Sequence, residues 1–324
     1  MPAPIWPYVT ALLYFAEVST CVAIAQALEM TSHDRLTRML WGQWSGQTLL
    51  ELALHALFTA VGGDLIVDDT IVEKPHATLL AEATWVWSTK HNRVVFGIPL
   101  VLLVWTNGQV RIPLAFRIWR KGGPSKFDLA LEVLSYARNR LRVTPRYVLF
   151  DAWYPSKRLL KRIRDYGWYF VCRLKKNRRF EGKPLKGYRR QPYWDAVGRV
   201  SGGIKVRVVK YRRKYYATNR LSLTAPEVRA LYQRRHAIEE VFKFLKAQLG
   251  LAACQAGYKR FGQGRCQAGE GVQAHHIALC LVAYLILERE RIDQGVTLHH
   301  LRRKLIVKGL TVSLPSLARV RAAA

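Results

Sequence analysis

Acid is scarce in this 324-residue chain: 22 Asp and Glu stand against 52 Lys and Arg, a formal net charge of +30 at pH 7. An excess that large on a folded surface calls for a polyanionic partner, and nucleic acid comes first because neutralised phosphates release their condensed counterions. Cysteine is sparse too. Cys21, Cys172, Cys254, Cys266 and Cys280 are scattered, odd in number and never spaced as CxxC, so neither a disulfide framework nor a zinc site is indicated and a reducing compartment is expected. Long apolar runs are missing: Ile98 to Trp105 and Ile277 to Leu287 fall well short of the roughly 20 residues that cross a bilayer. They read as a buried strand and a buried helix, with no membrane partner. The opening MPAPIWPYVTALLYFAEVST lacks a basic n-region, so a signal peptide is not expected. Half of the residues are nevertheless hydrophobic and 10 are Trp, which argues against disorder and for a chain that buries its own core.

From Thr10 to Leu57 apolar residues recur at helical spacing with breaks near Thr31-Ser32 and Gly42 to Gly46, predicting three or four short helices. Within them Cys21 to Leu40 resembles a helix-turn-helix whose second helix carries Arg35, Thr37 and Arg38, residue types suited to DNA; an ordinary packed helical pair fits it equally. After Gly62-Gly63 the period changes. Asp64 to Asp68 (DLIVD) reads as a short strand ending in acid, and Val94 to Val104 and Val110 to Trp119 as two strands joined through Asn107-Gly108. A helix over Lys126 to Leu141 follows, then the strand YVLFD (147–151), again ending in acid, a helix over Ser156 to Tyr166 and the strand WYFVCR (168–173).

Strand, strand, strand, helix, strand, helix, strand is the order of a ribonuclease H-like mixed-sheet core in an α/β fold. Leu174 to Arg220, rich in Lys, Arg, Gly and Tyr, reads as a basic β-rich insertion, with short strands at Ile204 to Val209 and Tyr215 to Thr218. Thr224 and Glu227 then form a T-x-x-E capping box that opens a long helix near Pro226. The expected organisation is a helical N-terminal region over 1–60, a catalytic domain over 61–290 with the insertion at about 174–220, and a basic tail over 291–324.

Two strands ending in Asp at one sheet edge, followed by a helix that presents a Glu, suit hard divalent cations. Two such ions about 4 Å apart activate a nucleophile and stabilise a leaving oxygen in phosphodiester chemistry. At about 100° per residue, Tyr232, Arg235, Glu239 and Lys246 form one polar line, beside an apolar face of Leu231, Ile238, Val241, Phe242, Leu245 and Leu249. Glu240 points about 100° away from Glu239 and is expected to be solvated, pairing loosely with Lys243 or His236. His275-His276 has no acid or cysteine at ligand spacing, so packing or a DNA-facing role is expected there rather than metal binding. KRLLKRIR (157–164) puts its basic residues on the outer side of a helix, either solvated or touching DNA.

The spacing Tyr232-x2-Arg235-x3-Glu239-x6-Lys246 resembles the YREK signature of DDE transposases of the insertion-sequence-four superfamily, found among bacterial insertion sequences. VDDT (67–70), VLFDAWYPS (148–156), FGIPLVLLVWTNGQVRIPLAFRIWRKG (96–122), RLKKNRRF (173–180) and QAHHIALCLVAYLILER (273–289) are similar to further family segments, together covering about residues 60 to 290. His236 stands where relatives often carry Trp. The resemblance implies that Asp68, Asp151 and Glu239 hold two Mg²⁺ or Mn²⁺ ions. It implies that Tyr232, Arg235 and Lys246 contact the phosphates of the transposon end, with Arg173, Lys175 and Lys176 also on the DNA. Asp-x-Thr favours Asp68 with Thr70, and Asp69 stays open as the alternative. Trp194 is a candidate for holding a flipped base, with core packing an equal claim.

The implied activity is cut-and-paste DNA transposition in the bacterial cytoplasm, at the nucleoid. Inverted-repeat ends of double-stranded DNA are cleaved, with a hairpin as one route, and their 3′-OH ends are joined to target DNA by a homodimer in a synaptic complex. A non-catalytic, domesticated DNA-binding protein and a ribonuclease H-fold nuclease that cuts without joining are the alternatives.

Overall fold

The computed structural model describes residues 4–15, 20–29, 31–59, 62–77, 80–188, 192–254, 271–309 and 315–323. Four helices come first: α1 (Ile5–Tyr14), α2 (Cys21–Leu28), α3 (His33–Trp41) and α4 (Gly46–Leu57). The hydroxyls of Thr20, Ser32 and Ser45 accept from backbone N–H groups three residues on and start the last three. The expected α2–α3 pair is present, although its turn residue Met30 lies outside the described residues, as does Cys266.

Gly62 and Gly63 then turn the chain at φ +67° and +72°. A Cβ on Gly63 would stand 2.6 Å from the Trp105 indole, whose Nε1 donates to the Gly62 carbonyl at 2.6 Å; side chain and backbone angle both require glycine here. Strands β1 (Asp64–Glu73), β2 (Thr84–Ser88), β3 (Arg93–Thr106) and β4 (Arg111–Ile118) follow. The β3–β4 turn is fixed as the sequence predicts: Asn107 Oδ1 accepts from the Gln109 and Val110 amides at 3.0 and 2.9 Å, and Gly108 takes φ +101°. Next come α5 (Lys126–Asn139), β5 (Tyr147–Phe150), α6 (Lys157–Asp165) and β6 (Tyr169–Leu174). β1 runs antiparallel to β3 and parallel to β5, and β5 runs parallel to β6. With β4 outside β3, this is the mixed five-strand core expected from the sequence.

The basic segment adds more strand than predicted. β7 (Arg179–Phe180), β8 (Lys183–Pro184), β9 (Tyr193–Val200), β10 (Ile204–Tyr211) and β11 (Lys214–Thr218) continue the same sheet outward from β6, in the order β6-β11-β10-β9-β7-β8.

Two expectations need correction. Asp68 does not end its strand: β1 runs on to Glu73, because residues 68–73 stay paired with β3 after the parallel pairing with β5 has stopped at Ile66. The long helix from Pro226 is two helices, α7 (Ala225–Gln233) and α8 (His236–Gln248), separated at Arg234-Arg235. There the amides of Arg234, Arg235, Ala237 and Ile238 each bond to the carbonyl three residues back, a tightened turn that rotates α8 relative to α7. No Gly or Pro marks the break, which is why periodicity runs through it unseen.

α9 (Val272–Gln294) is buried on all sides over most of its length and forms the centre of the helical layer. α1, α3, α4, α8, α10 (Leu298–Lys308) and α11 (Pro315–Ala323) pack on it. The basic C-terminal segment is therefore anchored: the buried Arg302 guanidinium donates to the carbonyls of Leu13, Phe15 and Gln248.

Candidate active site

The register of two strands sets the site. β1 and β5 are last in parallel register at Ile66 and Leu149, and Asp68 and Asp151 each lie two residues further on. Asp151 follows directly on β5, and the two carboxylates are close enough for the Asp151 charge to act on Asp68. Phe150, Phe170 and Leu149 are fully buried beneath them, and the Asp151 carboxylate accepts from the Trp153 amide at 2.8 Å. Burial, joined by the negative charges of Asp151 and Asp69, raises the Asp68 carboxyl to about 7 against the pull of Arg235.

The broken helix supplies the third acid. At the break two neighbouring arginines reach two different aspartates of β1: Arg234 Nη1 meets the buried Asp64 at 2.8 Å, and Arg235 Nη1 meets Asp68 at 2.5 Å. Arg235 also donates through Nη2 to Glu239, in the first turn of α8, where the helix N-terminus favours a carboxylate. One guanidinium thus joins Asp68 to Glu239. Glu239 takes a second contact from His236 Nδ1 at 2.8 Å.

The neighbours of both acids point elsewhere. Asp69 faces the opposite side of β1 and is held by Lys126 at 2.5 Å and by the Tyr154 hydroxyl at 2.9 Å. Glu240 pairs with Arg111 of β4, not with Lys243 or His236 as expected, since the turn at Arg234-Arg235 aims it toward the sheet edge and gives His236 to Glu239. The Arg111, Asp64 and Lys126 partnerships carry no sequence signal, because each joins segments more than fifty residues apart.

Of the other predicted residues, Tyr232 lies beside Arg235, its ring 5.8 Å from the guanidinium carbon, and burial pushes its hydroxyl up to about 12. Lys246 is tied to β1, donating to Thr70 Oγ1 at 2.7 Å and the Ile71 carbonyl at 2.8 Å. Arg173 is half-buried on β6 near Tyr232, and its Nε has no hydrogen-bond partner among the described residues. Lys175 and Lys176 are exposed, with the Lys175 ammonium 4.3 Å from the centre of the Trp153 ring. Arg35 and Arg38 remain exposed on α3 and line a surface cleft with Trp44 and Thr48. Trp194 is half-buried, stacked on Tyr188 at 4.5 Å and edge-on to Phe180. The exposed tryptophan beside an acid is Trp153, two residues after Asp151 in the motif DAWYPS. His275 and His276 are packing residues: His276 accepts from the Tyr8 hydroxyl and donates to the Gly250 carbonyl, and His275 stacks on Trp44.

The donor set suits a hard divalent cation. Three carboxylates border one edge, and Asp68 carries its charge there at a cost, set first by burial and then by the charges of Asp151 and Asp69, that a cation would relieve. Among the described residues no three His, Cys, Asp or Glu side chains already converge into a metal cage. Glu239 is instead turned onto Arg235 and His236, so the guanidinium supplies the positive charge between the acids.

Residues 60–263 match the family described as the transposase DDE domain. Among solved structures the fold is similar to a piggyBac transposase in a synaptic complex with hairpin DNA, with a TM-score of 0.55 and 12% sequence identity over 98% of this chain and 74% of that one. No curated protein matches the sequence.

Proposed function

The chain belongs to the transposase DDE domain family, and from that premise we propose that it binds inverted-repeat ends of double-stranded DNA, cleaves them, and joins the freed 3′-OH ends to target DNA. Within the family we place it in the insertion-sequence-four superfamily, on the spacing of Tyr232, Arg235, Glu239 and Lys246.

Asp68, Asp151 and Glu239 are the proposed catalytic carboxylates. They would hold two Mg²⁺ or Mn²⁺ ions, which when bound activate the nucleophile and stabilise the leaving oxygen. Arg235 is the residue best fitted to grip a phosphate through two parallel N–H bonds. It would be free for that grip if Asp68 and Glu239 held a cation instead of the guanidinium. Tyr232, still a phenol near neutral pH, orients Arg235 and offers one hydroxyl to the same phosphate. Lys246 fixes the far end of β1 and holds a charge over Thr70, while Arg173, Lys175 and Lys176 line the path of the strand past Asp151. The exposed Arg35 and Arg38 extend the basic surface onto the N-terminal helices. Cut-and-paste transfer by a homodimer, with a hairpin on the element end, is the route this reading favours.

The single observation that carries the reading is that Asp68 and Asp151 lie close together just past the last parallel pair of β1 and β5, with Glu239 joined to Asp68 through Arg235. The test incubates labelled element ends with Mg²⁺ and a target plasmid. Joined products are expected from the wild-type chain, and end binding without cleavage from Asp68→Ala, Asp151→Ala and Glu239→Ala. Cleavage without joining, or binding without cleavage, by the wild-type chain would refute the proposal in favour of a nuclease or a non-catalytic binder.

A further inference from the structure

The pairing of β1 with β3 ends at Glu73 and Gly97, but β3 begins four residues earlier and pairs there with β2 alone. Residues 84–96 therefore form a two-stranded ribbon at the edge of the sheet, with β2 outermost. One face of it carries Trp85 and Trp87, which are 69% and 58% exposed, and across from them Phe96 and Val94. The Trp85 and Phe96 rings lie 5.4 Å apart. Burying an indole is worth more than burying almost any other side chain, yet two stand in solvent side by side. Their alternation with Val86 in TWVWS is that of a strand whose aromatic face awaits a partner.

Charge identifies the partner. The ribbon's tip carries exposed Lys90 and Arg93, and His91 at the tip is 2.9 Å from Glu73, so the tip meets the far end of the strand that holds Asp68. Lys90 is close enough to Lys246 to lower its affinity for a proton, after burial, which is the larger cause. A second copy of a chain with net charge +30 would bring like charges together at this tip, whereas a polyanion would neutralise them. Indoles make no strong contact with phosphate but stack on base faces, without regard to sequence. A continuous duplex hides those faces, and they come into reach where the base stack is opened.

We propose that the Trp85–Trp87 ribbon is a DNA-binding surface that stacks on unpaired bases where the duplex is opened beside the acidic edge, while Lys90 and Arg93 hold the adjoining phosphates. It rests on the reading of the chain as a DNA-acting transposase.

The test measures the affinity of the full chain for a labelled duplex and for the same duplex carrying a short unpaired bulge, at one salt concentration. A photoreactive 5-iodouracil in the bulge maps the contact. The wild-type chain should prefer the bulged DNA by on the order of tenfold, with crosslinks to residues 84–96. Trp85→Ala/Trp87→Ala should lose the preference and the crosslinks while keeping its duplex affinity and melting temperature, since neither indole is part of the core. Trp85→Phe/Trp87→Phe should regain part of the preference. An unchanged preference in the double alanine variant, crosslinks confined to other segments, or a change in the mass of the particle in solution with no change in DNA preference would each overturn the inference. Failure of the wild-type chain to bind either DNA would instead overturn the transposase reading on which it rests.

Discussion

Replacing Asp68 with Asn should stabilise the free protein. The side chain is 17% exposed, and its carboxyl is displaced from its ordinary 3.8 to about 7, first by burial and then by the charges of Asp151 and Asp69. At about 1.4 kcal/mol for each tenfold change in an ionisation constant, carrying that charge in the folded state costs about 4 kcal/mol above pH 7. The sign follows from proton counts. Between pH 3.8 and about 7 the folded chain retains a proton that the unfolded chain has released, so stability is fullest below 3.8 and falls as pH rises through 7. Asn removes the cost but leaves Arg235 with Glu239 alone, which returns part of it; the net gain at pH 8 should be about 2 to 3 kcal/mol. Urea unfolding of both proteins in EDTA, from pH 4 to pH 8.5, reads the difference directly. It should vanish near pH 4, and Mg²⁺ should narrow it at pH 8 by stabilising the wild-type chain. Equal stabilities at pH 8, or a difference that ignores pH, would refute the account of Asp68 as a charge held at a cost.

The paired acids should separate in the same way. Glu239→Gln is expected to abolish end cleavage, whereas Glu240→Gln loses only a half-exposed ion pair with Arg111, costs at most about 1 kcal/mol and cleaves normally; gel assays of labelled ends decide it. Asp69→Asn gives up the Lys126 and Tyr154 contacts and should lose about 2 kcal/mol of stability, measured by denaturation, with cleavage per folded molecule retained. His276, buried and held neutral down to about pH 3, contributes stability that is present above its ordinary 6.5 and lost as pH falls through that window toward 3; His276→Gln should flatten the acid side of a melting-temperature profile.

The mixed core was legible because each of its elements carries a local signal: Asn107-Gly108 for the hairpin, Ser156 for the start of α6, and a short β-branched or aromatic run for each strand. Asp151 was legible for the same reason, as the polar residue that ends an apolar run. Asp68 was legible as a residue but not in its setting. Nothing in VDDTIVE says that β1 leaves β5 at Ile66 and continues along β3, since residues 68–73 keep a half-buried strand's composition. The helix break was invisible for a different reason. Its four i→i+3 bonds change the rotation per residue without changing residue type, so a wheel drawn at a constant angle passes through Arg234 and Arg235 as if they were ordinary helix. The wheel therefore set Glu239 apart from Glu240 while missing the partners of both. Partners such as Asp64 for Arg234 are 170 residues away in sequence, and no local pattern encodes them.

That break also explains how so basic a chain keeps acids available at one edge. At the break Arg234 takes Asp64 while Arg235 takes Asp68. The two pairs differ in what surrounds them. Asp64 stands at the start of β1, four residues from the acidic edge. Asp68 sits beside a second aspartate, and one arginine must serve it and Glu239 together. Two carboxylates sharing a single guanidinium, with Asp151 close by, are under-neutralised, and a group of this kind gains more from an incoming cation than a balanced pair would. The local conflict of acid crowded on acid, within a surface that has positive charge to spare, thus falls where the chemistry is proposed, as expected when function rather than stability sets the residues.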